Sequence, residues 1–132
     1  MLEENVQPKK KIIILDDDKF LLNMYATKFN NAGVEIETVS TGEDLIEMLK
    51  AGANPDLIIL DVVIPGLSGL DTLEQLKNEN LIKNAKVVML TNQGEPEEVE
   101  KAKSLGIDGY IVKAMATPSE VVEKSFKIMN GS

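Results

Sequence analysis

Five short apolar runs, each followed by a polar stretch or by helical spacing, restrict this chain more than any other feature. They are Ile12 to Leu15, Val34 to Val39, Leu57 to Leu60, Val87 to Leu90 and Tyr110 to Val112. Four are nearly unbroken runs of β-branched residues and leucine, the pattern of strands covered on both faces. The second, Val34-Glu35-Ile36-Glu37-Thr38-Val39, alternates instead, and one solvent-facing side suits a strand at the edge of a sheet.

Between the runs, apolar residues recur at helical spacing: Phe20, Leu21, Met24 and Phe29, then Leu45, Ile46 and Leu49, then Leu70, Leu73 and Leu76. Ser40 with Glu43 and Thr117 with Glu120 have the form of capping boxes, Pro96 and Pro118 suit first helical turns, and Gly33, Gly52 and Gly106 suit helix exits. No linker or low-complexity stretch interrupts the alternation. The expectation is an α/β fold, a doubly wound five-stranded parallel sheet with helices on both faces, formed by a single domain over residues 11–130 after a polar lead-in at 1–10. A chain of 132 residues with 43% hydrophobic residues can bury one core of that size.

In such sheets ligands gather beyond the carboxyl ends of the strands. The first run leads into Asp16-Asp17-Asp18, the third into Asp61, the fourth into Thr91 and the fifth into Lys113, so carboxylates, a hydroxyl and an ammonium converge on one rim. Asp18 also reads as a helix N-cap, Ser68 as another, and Pro65-Gly66 as a turn. The glutamates at 95, 97, 98 and 100 read as the solvated first turn of a helix.

Composition narrows what that rim can do. The chain has no histidine and no cysteine, so imidazole or thiol chemistry and zinc sites built from those ligands are excluded, and the missing disulfides fit a reducing cytoplasm. Every basic residue is lysine, and 14 of them against 22 acidic residues leave a net charge of −8, which argues against nucleic acid or anionic membrane as partner. No stretch is long and apolar enough for a membrane span. Crowded carboxylates call for a cation, and all-oxygen ligands favour Mg²⁺, with Mn²⁺ as a substitute. Asp17 and Asp61 are the proposed direct ligands, with Asp16 acting through water and the Val63 carbonyl at a further position. An aspartate beside such an ion can attack phosphorus, with Lys113 adding positive charge and Thr91 donating to a phosphoryl oxygen.

The stretches Ile12-Ile13-Ile14-Leu15-Asp16-Asp17-Asp18, Leu57 to Gly69 with Asp61 at its centre, Val88-Met89-Leu90-Thr91 and Gly109-Tyr110-Ile111-Val112-Lys113 together resemble the receiver domains of bacterial two-component response regulators, over about Lys11 to Met129. The resemblance implies the flavodoxin-like strand order 2-1-3-4-5. It also implies a cytoplasmic, stand-alone response regulator in which Asp61 accepts phosphoryl from a sensor histidine kinase or phosphotransfer protein. Thr91 and Tyr110 would act as switch residues, and the output would be a contact with a downstream protein target. The only enzymatic activity implied is self-catalysed phosphorylation and dephosphorylation, in a monomer or a weak phosphorylation-dependent dimer. Family members commonly carry proline after the lysine, usually with a cis bond, where this chain has Ala114, and the isomer there is left open. Asn92 stands where a small residue often follows the threonine.

Two other readings compete. Asp16 and Asp18 resemble the Asp-x-Asp motif of haloacid-dehalogenase-like Mg²⁺ phosphatases with Asp16 as nucleophile, although beyond Lys113 only Glu120 and Glu123 remain to supply the acidic pair those enzymes need. A receiver that only binds proteins and is never phosphorylated is the other, and the intact carboxylate trio speaks against it.

Overall fold

The computed structural model describes residues 9–92 and 96–131. The alternation read from the sequence is present as β1 (Lys11–Leu15), α1 (Lys19–Asn31), β2 (Glu35–Val39), α2 (Gly42–Lys50), β3 (Leu57–Leu60), α3 (Gly69–Asn78), β4 (Lys86–Thr91), α4 (Pro96–Ser104), β5 (Gly109–Val112) and α5 (Pro118–Met129). All neighbouring strands pair in parallel, in the order β2-β1-β3-β4-β5. Most of the lead-in, residues 1–8, lies outside the described residues, as does Glu95.

Period-two alternation divides the core into two layers. Ile13, Leu15, Ile58, Leu60, Val87 and Met89 face α2, α3 and the single buried residue of α4, Ala102. Ile12, Ile14, Leu57, Ile59, Val88, Leu90 and Ile111 face α1 and α5 through Leu22, Tyr25, Phe29, Val121 and Val122. Each fully buried Leu or Ile contributes about 2 kcal/mol relative to exposure, so β1 and β3, buried on both faces, anchor the strand ends that carry Asp16 and Asp61.

Local signals set most element ends. Asp18 caps α1 by accepting from the Leu21 amide, Ser68 caps α3 by accepting from the Asp71 amide, and Thr117 with Glu120 closes a reciprocal capping box on α5. Gly33, Gly52 and Gly106 leave their helices at φ of +90°, +107° and +83°, which a residue with a Cβ resists.

Three expectations need correction. The cap of α2 is Thr41, which accepts from the Asp44 amide, and not Ser40 with Glu43; Thr41 already has the extended backbone of a cap, one residue further on. Of the row expected to face inward on α1, Phe29 is buried and Leu21 packs against the core, but Phe20 is 75% exposed and Leu22 and Tyr25 complete the buried face. β5 is apolar like the central strands but lies at the second sheet edge, where only Ile111 is fully buried.

Candidate functional site

Asp16 and Asp61 leave adjacent strands in register, since Leu15 pairs with Leu60 and the Asp61 amide donates to the Leu15 carbonyl at 2.9 Å. Both side chains are buried, and each is aimed by a short-range turn. The Asp18 amide donates to Asp16 Oδ1 at 2.9 Å, and the Val63 amide donates to Asp61 Oδ1 at 3.3 Å. Behind Asp61 the backbone is packed without slack. A Cβ on Gly69 would stand 1.9 Å from the Asp61 carbonyl oxygen, so glycine is what lets the start of α3 close against the loop.

Lys113, just past β5, reaches across the sheet end to both carboxylates. Its Nζ donates to Asp16 Oδ2 at 2.5 Å and to Asp61 Oδ2 at 3.1 Å, and its side chain is 6% exposed. Burial pulls the ammonium pKa down, but the Asp16 hydrogen bond and the charges of Asp61 and Asp16 more than offset it, leaving Lys113 above its usual value. For Asp61 burial is the largest influence and pushes the carboxyl up to about 6. Lys113 opposes that shift, and Asp16 adds to it. An acid held against its preference for charge, next to a fixed ammonium, suits a group whose charge is meant to be met by something that binds.

Asp17 stands exposed at the mouth, and one oxygen from each of Asp16, Asp17 and Asp61 lies within 4.8 Å of the other two. Oxygens on opposite sides of an octahedral Mg²⁺ are about 4.2 Å apart, so a small adjustment would close these three around one hard cation. The donor set therefore fits the ion. These residues, with Val63, Thr91, Asn92 and Lys113, line one open cleft of about 490 Å³.

The sequence-derived site is thus largely assembled in one place, with two qualifications. Asp18 lines the cleft but its Oδ1 is committed to the Leu21 amide. Tyr110 is not a lining residue of the cleft. It packs against the α2–α4 layer, and its buried hydroxyl has no hydrogen-bond partner among the described residues. The Lys113–Ala114 bond is trans, and Lys113–Met115 forms a short 3₁₀ turn.

Two residues near the site were not singled out from the sequence. Tyr25 is buried beneath it, with its hydroxyl pKa raised by burial, lowered by Lys113 and raised by Asp16 and Asp61. Glu98 is half-buried and lines the cleft, whereas it was expected on a solvated face; Glu97 and Glu100 are exposed as expected. A helical-wheel reading of α4 could have separated Glu98 from its neighbours only with the position of Ala102 known.

Comparison with known proteins agrees with the geometry. Residues 12–125 match the response regulator receiver domain family. The chain is 29% identical over 110 residues to the chemotaxis protein CheY of Halobacterium salinarum, covering 83% of this chain and 89% of that protein. It is 31% identical over 108 residues to the phosphate regulon transcriptional regulatory protein PhoB of Rhizobium meliloti, covering 82% of this chain and 47% of that one. The chain spans about half the length of PhoB and of several other transcriptional regulators it matches. Among solved structures, Vibrio cholerae chemotaxis protein CheY4 superposes with a TM-score of 0.81 at 26% identity, over 92% of this chain and 99% of that chain. A CheY-like receiver domain protein of Methanospirillum hungatei shares the fold with a TM-score of 0.85 at 24% identity, over 93% and 95%. The phosphatase alternative loses its ground, because its second motif carboxylate, Asp18, is spent on a helix cap and the family matched is a different one. The buried Asp16, Asp61 and Lys113 at the ends of β1, β3 and β5, the strand order and the match over residues 12–125 lead to one conclusion: the chain belongs to the response regulator receiver domain family of two-component systems.

Proposed function

We propose that residues 11–130 act as a phosphoacceptor switch in which Asp61 takes a phosphoryl group from a phosphohistidine on a sensor histidine kinase or phosphotransfer protein. The observation that carries this reading is the Lys113 ammonium 3.1 Å from Asp61 Oδ2, with the Asp16 and Asp17 carboxylates gathered beside it. Asp17 and Asp61 directly, Asp16 through water, and the Val63 carbonyl would hold Mg²⁺, which when bound supplies charge neutralisation for the phosphoryl oxygens.

In the transfer, an Asp61 carboxylate oxygen forms a bond to phosphorus as the phosphorus–nitrogen bond to the donor imidazole breaks, and the imidazole nitrogen keeps that electron pair. Lys113 stays within reach of the developing negative charge, and the Val63 amide holds Asp61 Oδ1 so that the attacking oxygen is oriented. Thr91, buried at the end of β4 and lining the cleft, donates its hydroxyl to a phosphoryl oxygen once that group has arrived. That contact draws on the loop after β4. Tyr110, whose hydroxyl has no partner among the described residues, changes position with it. Hydrolysis by water returns the carboxylate, and these two self-catalysed steps are the only chemistry of the domain.

The output is a protein contact on the face of α4, β5 and α5, made by a monomer or by a weak dimer favoured by phosphorylation. A net charge of −8 disfavours direct nucleic acid binding, and among the described residues no helix is long and apolar enough to cross a membrane. Beryllofluoride with Mg²⁺ should bind wild type at Asp61 and fail to bind Asp61→Asn; equal binding to both proteins overturns the assignment.

A further inference from the structure

Charge in the cleft does not balance: the five carboxylates of Asp16, Asp17, Asp18, Asp61 and Glu98 stand against one ammonium and one divalent cation. Asp16, Asp17 and Asp61 carry three negative charges when ionised, and Lys113 with one divalent cation carries three positive. Asp18 is held by the amide end of α1. Glu98 lines the same cleft from the first turn of α4, and among the described residues it makes no hydrogen bond or ion pair. Its carboxylate is therefore surplus before any phosphoryl group arrives, and each further negative charge on Asp61 acts against it.

The helix that carries Glu98 is the element least able to hold it there. Ala102 is the only fully buried residue of α4, and its cross-helix ion pair, Lys101 with Glu74 at 3.7 Å, is exposed on both sides. Tyr110, which packs in the layer that holds Ala102 of α4, lies within electrostatic reach of Glu98. Its hydroxyl is buried without a partner among the described residues, and burial followed by the Glu98 charge raises its pKa. An O–H donor and a carboxylate, each without a hydrogen-bond partner among the described residues, thus influence one another.

Resting on the phosphoacceptor reading of Asp61, we infer that Glu98 is a positioning residue that couples the site to α4: the incoming anion repels its carboxylate out of the cleft, and the first turn of α4 moves with it. The device differs from the Thr91 contact because it acts by repulsion and at a distance, and so depends on ionic strength. It also acts on cation and anion in opposite senses. Glu98 attracts a divalent ion to the cleft and opposes an anion on Asp61.

The test is Glu98→Gln, which removes the charge but keeps the size and the ability to accept a hydrogen bond, with melting temperature confirming that the variant folds. Mg²⁺ affinity is measured by calorimetry, and beryllofluoride affinity at saturating Mg²⁺ by fluorine NMR. At low salt the variant should bind Mg²⁺ more weakly and beryllofluoride more tightly, each by roughly three- to tenfold, with both differences shrinking as salt is raised. In wild type, beryllofluoride should speed exchange of the amides at 100–104, whose helical acceptors lie in the first turn of α4, and in Glu98→Gln much less so. A merely structural role for Glu98 would weaken both ligands together, and that result, or unchanged affinities, overturns the inference while leaving the phosphoacceptor reading intact. Wild type that takes up no beryllofluoride overturns the phosphoacceptor reading itself.

Discussion

Replacing Asp61 by asparagine should stabilise the metal-free protein at neutral pH, because the wild-type carboxylate is ionised against the cost of burial. That carboxyl is held at about 6 against 3.8 for a free side chain. At about 1.4 kcal/mol per pH unit, a shift of that size corresponds to roughly 3 kcal/mol, and screening by water in the open cleft reduces it to about 1–2 kcal/mol. Below 3.8 the group is protonated in folded and unfolded chains alike, so the two proteins gain the same from it. Between 3.8 and about 6 the unfolded chain ionises first, wild-type stability falls, and above that window the loss is complete and constant. The asparagine variant, neutral throughout and still able to accept from Lys113, does not suffer it. For a chain of this size 1–2 kcal/mol is about 4–8 °C in melting temperature. Thermal denaturation in the presence of chelator, scanned across the acid and neutral range, should show Asp61→Asn melting higher by that amount at neutral pH and converging with wild type in acid. Added Mg²⁺ should reverse the order, since binding stabilises only the protein that retains the ligand set. Equal melting temperatures at neutral pH, or a gap that persists undiminished in acid, would refute the reasoning that burial strains this carboxylate.

Other outcomes follow from neighbouring residues. Gly69→Ala should cost about 1–3 kcal/mol by denaturant titration and weaken beryllofluoride binding, because the new Cβ meets the Asp61 backbone, which cannot step aside. Lys113→Met should lower the rate of labelling by acetyl phosphate roughly a hundredfold while raising Mg²⁺ affinity, since it removes the cation that now occupies Asp16 and Asp61; a parallel loss of both would contradict the placement of Lys113. Thr117→Ala should cost about 1 kcal/mol through loss of the α5 capping box, with Mg²⁺ affinity unchanged.

The sheet was legible because its central strands carry their own signature. Ile12 to Leu15 and Leu57 to Leu60 have no polar residue to spare for solvent, which is the pattern of interior strands, and the acidic residues that follow them then lie on the rim. Parallel pairing alone brings Asp16, Asp61, Thr91 and Lys113 to the same end. Orientation was harder. Gly109 to Val112 is as apolar as an interior strand, and nothing local shows that no sixth strand covers its outer edge. In α1 the row Phe20, Leu21, Met24, Phe29 and the row Leu22, Tyr25, Phe29 both have helical spacing, and which of them turns inward is set by packing against the sheet. α4 offers a single small apolar anchor, so the face bearing Glu98 is set by tertiary contact and not by amphipathicity. The Tyr25 environment was hidden for a related reason, because its neighbours are distant in sequence and charged.

The phosphoacceptor role depends most directly on which carboxyl becomes the acyl phosphate. Treating the protein with acetyl phosphate and Mg²⁺, trapping the product by borohydride reduction and sequencing the peptides by mass spectrometry reads that out as homoserine at the modified position. Homoserine in place of Asp61 alone is the predicted result, and homoserine at Asp16 would contradict it.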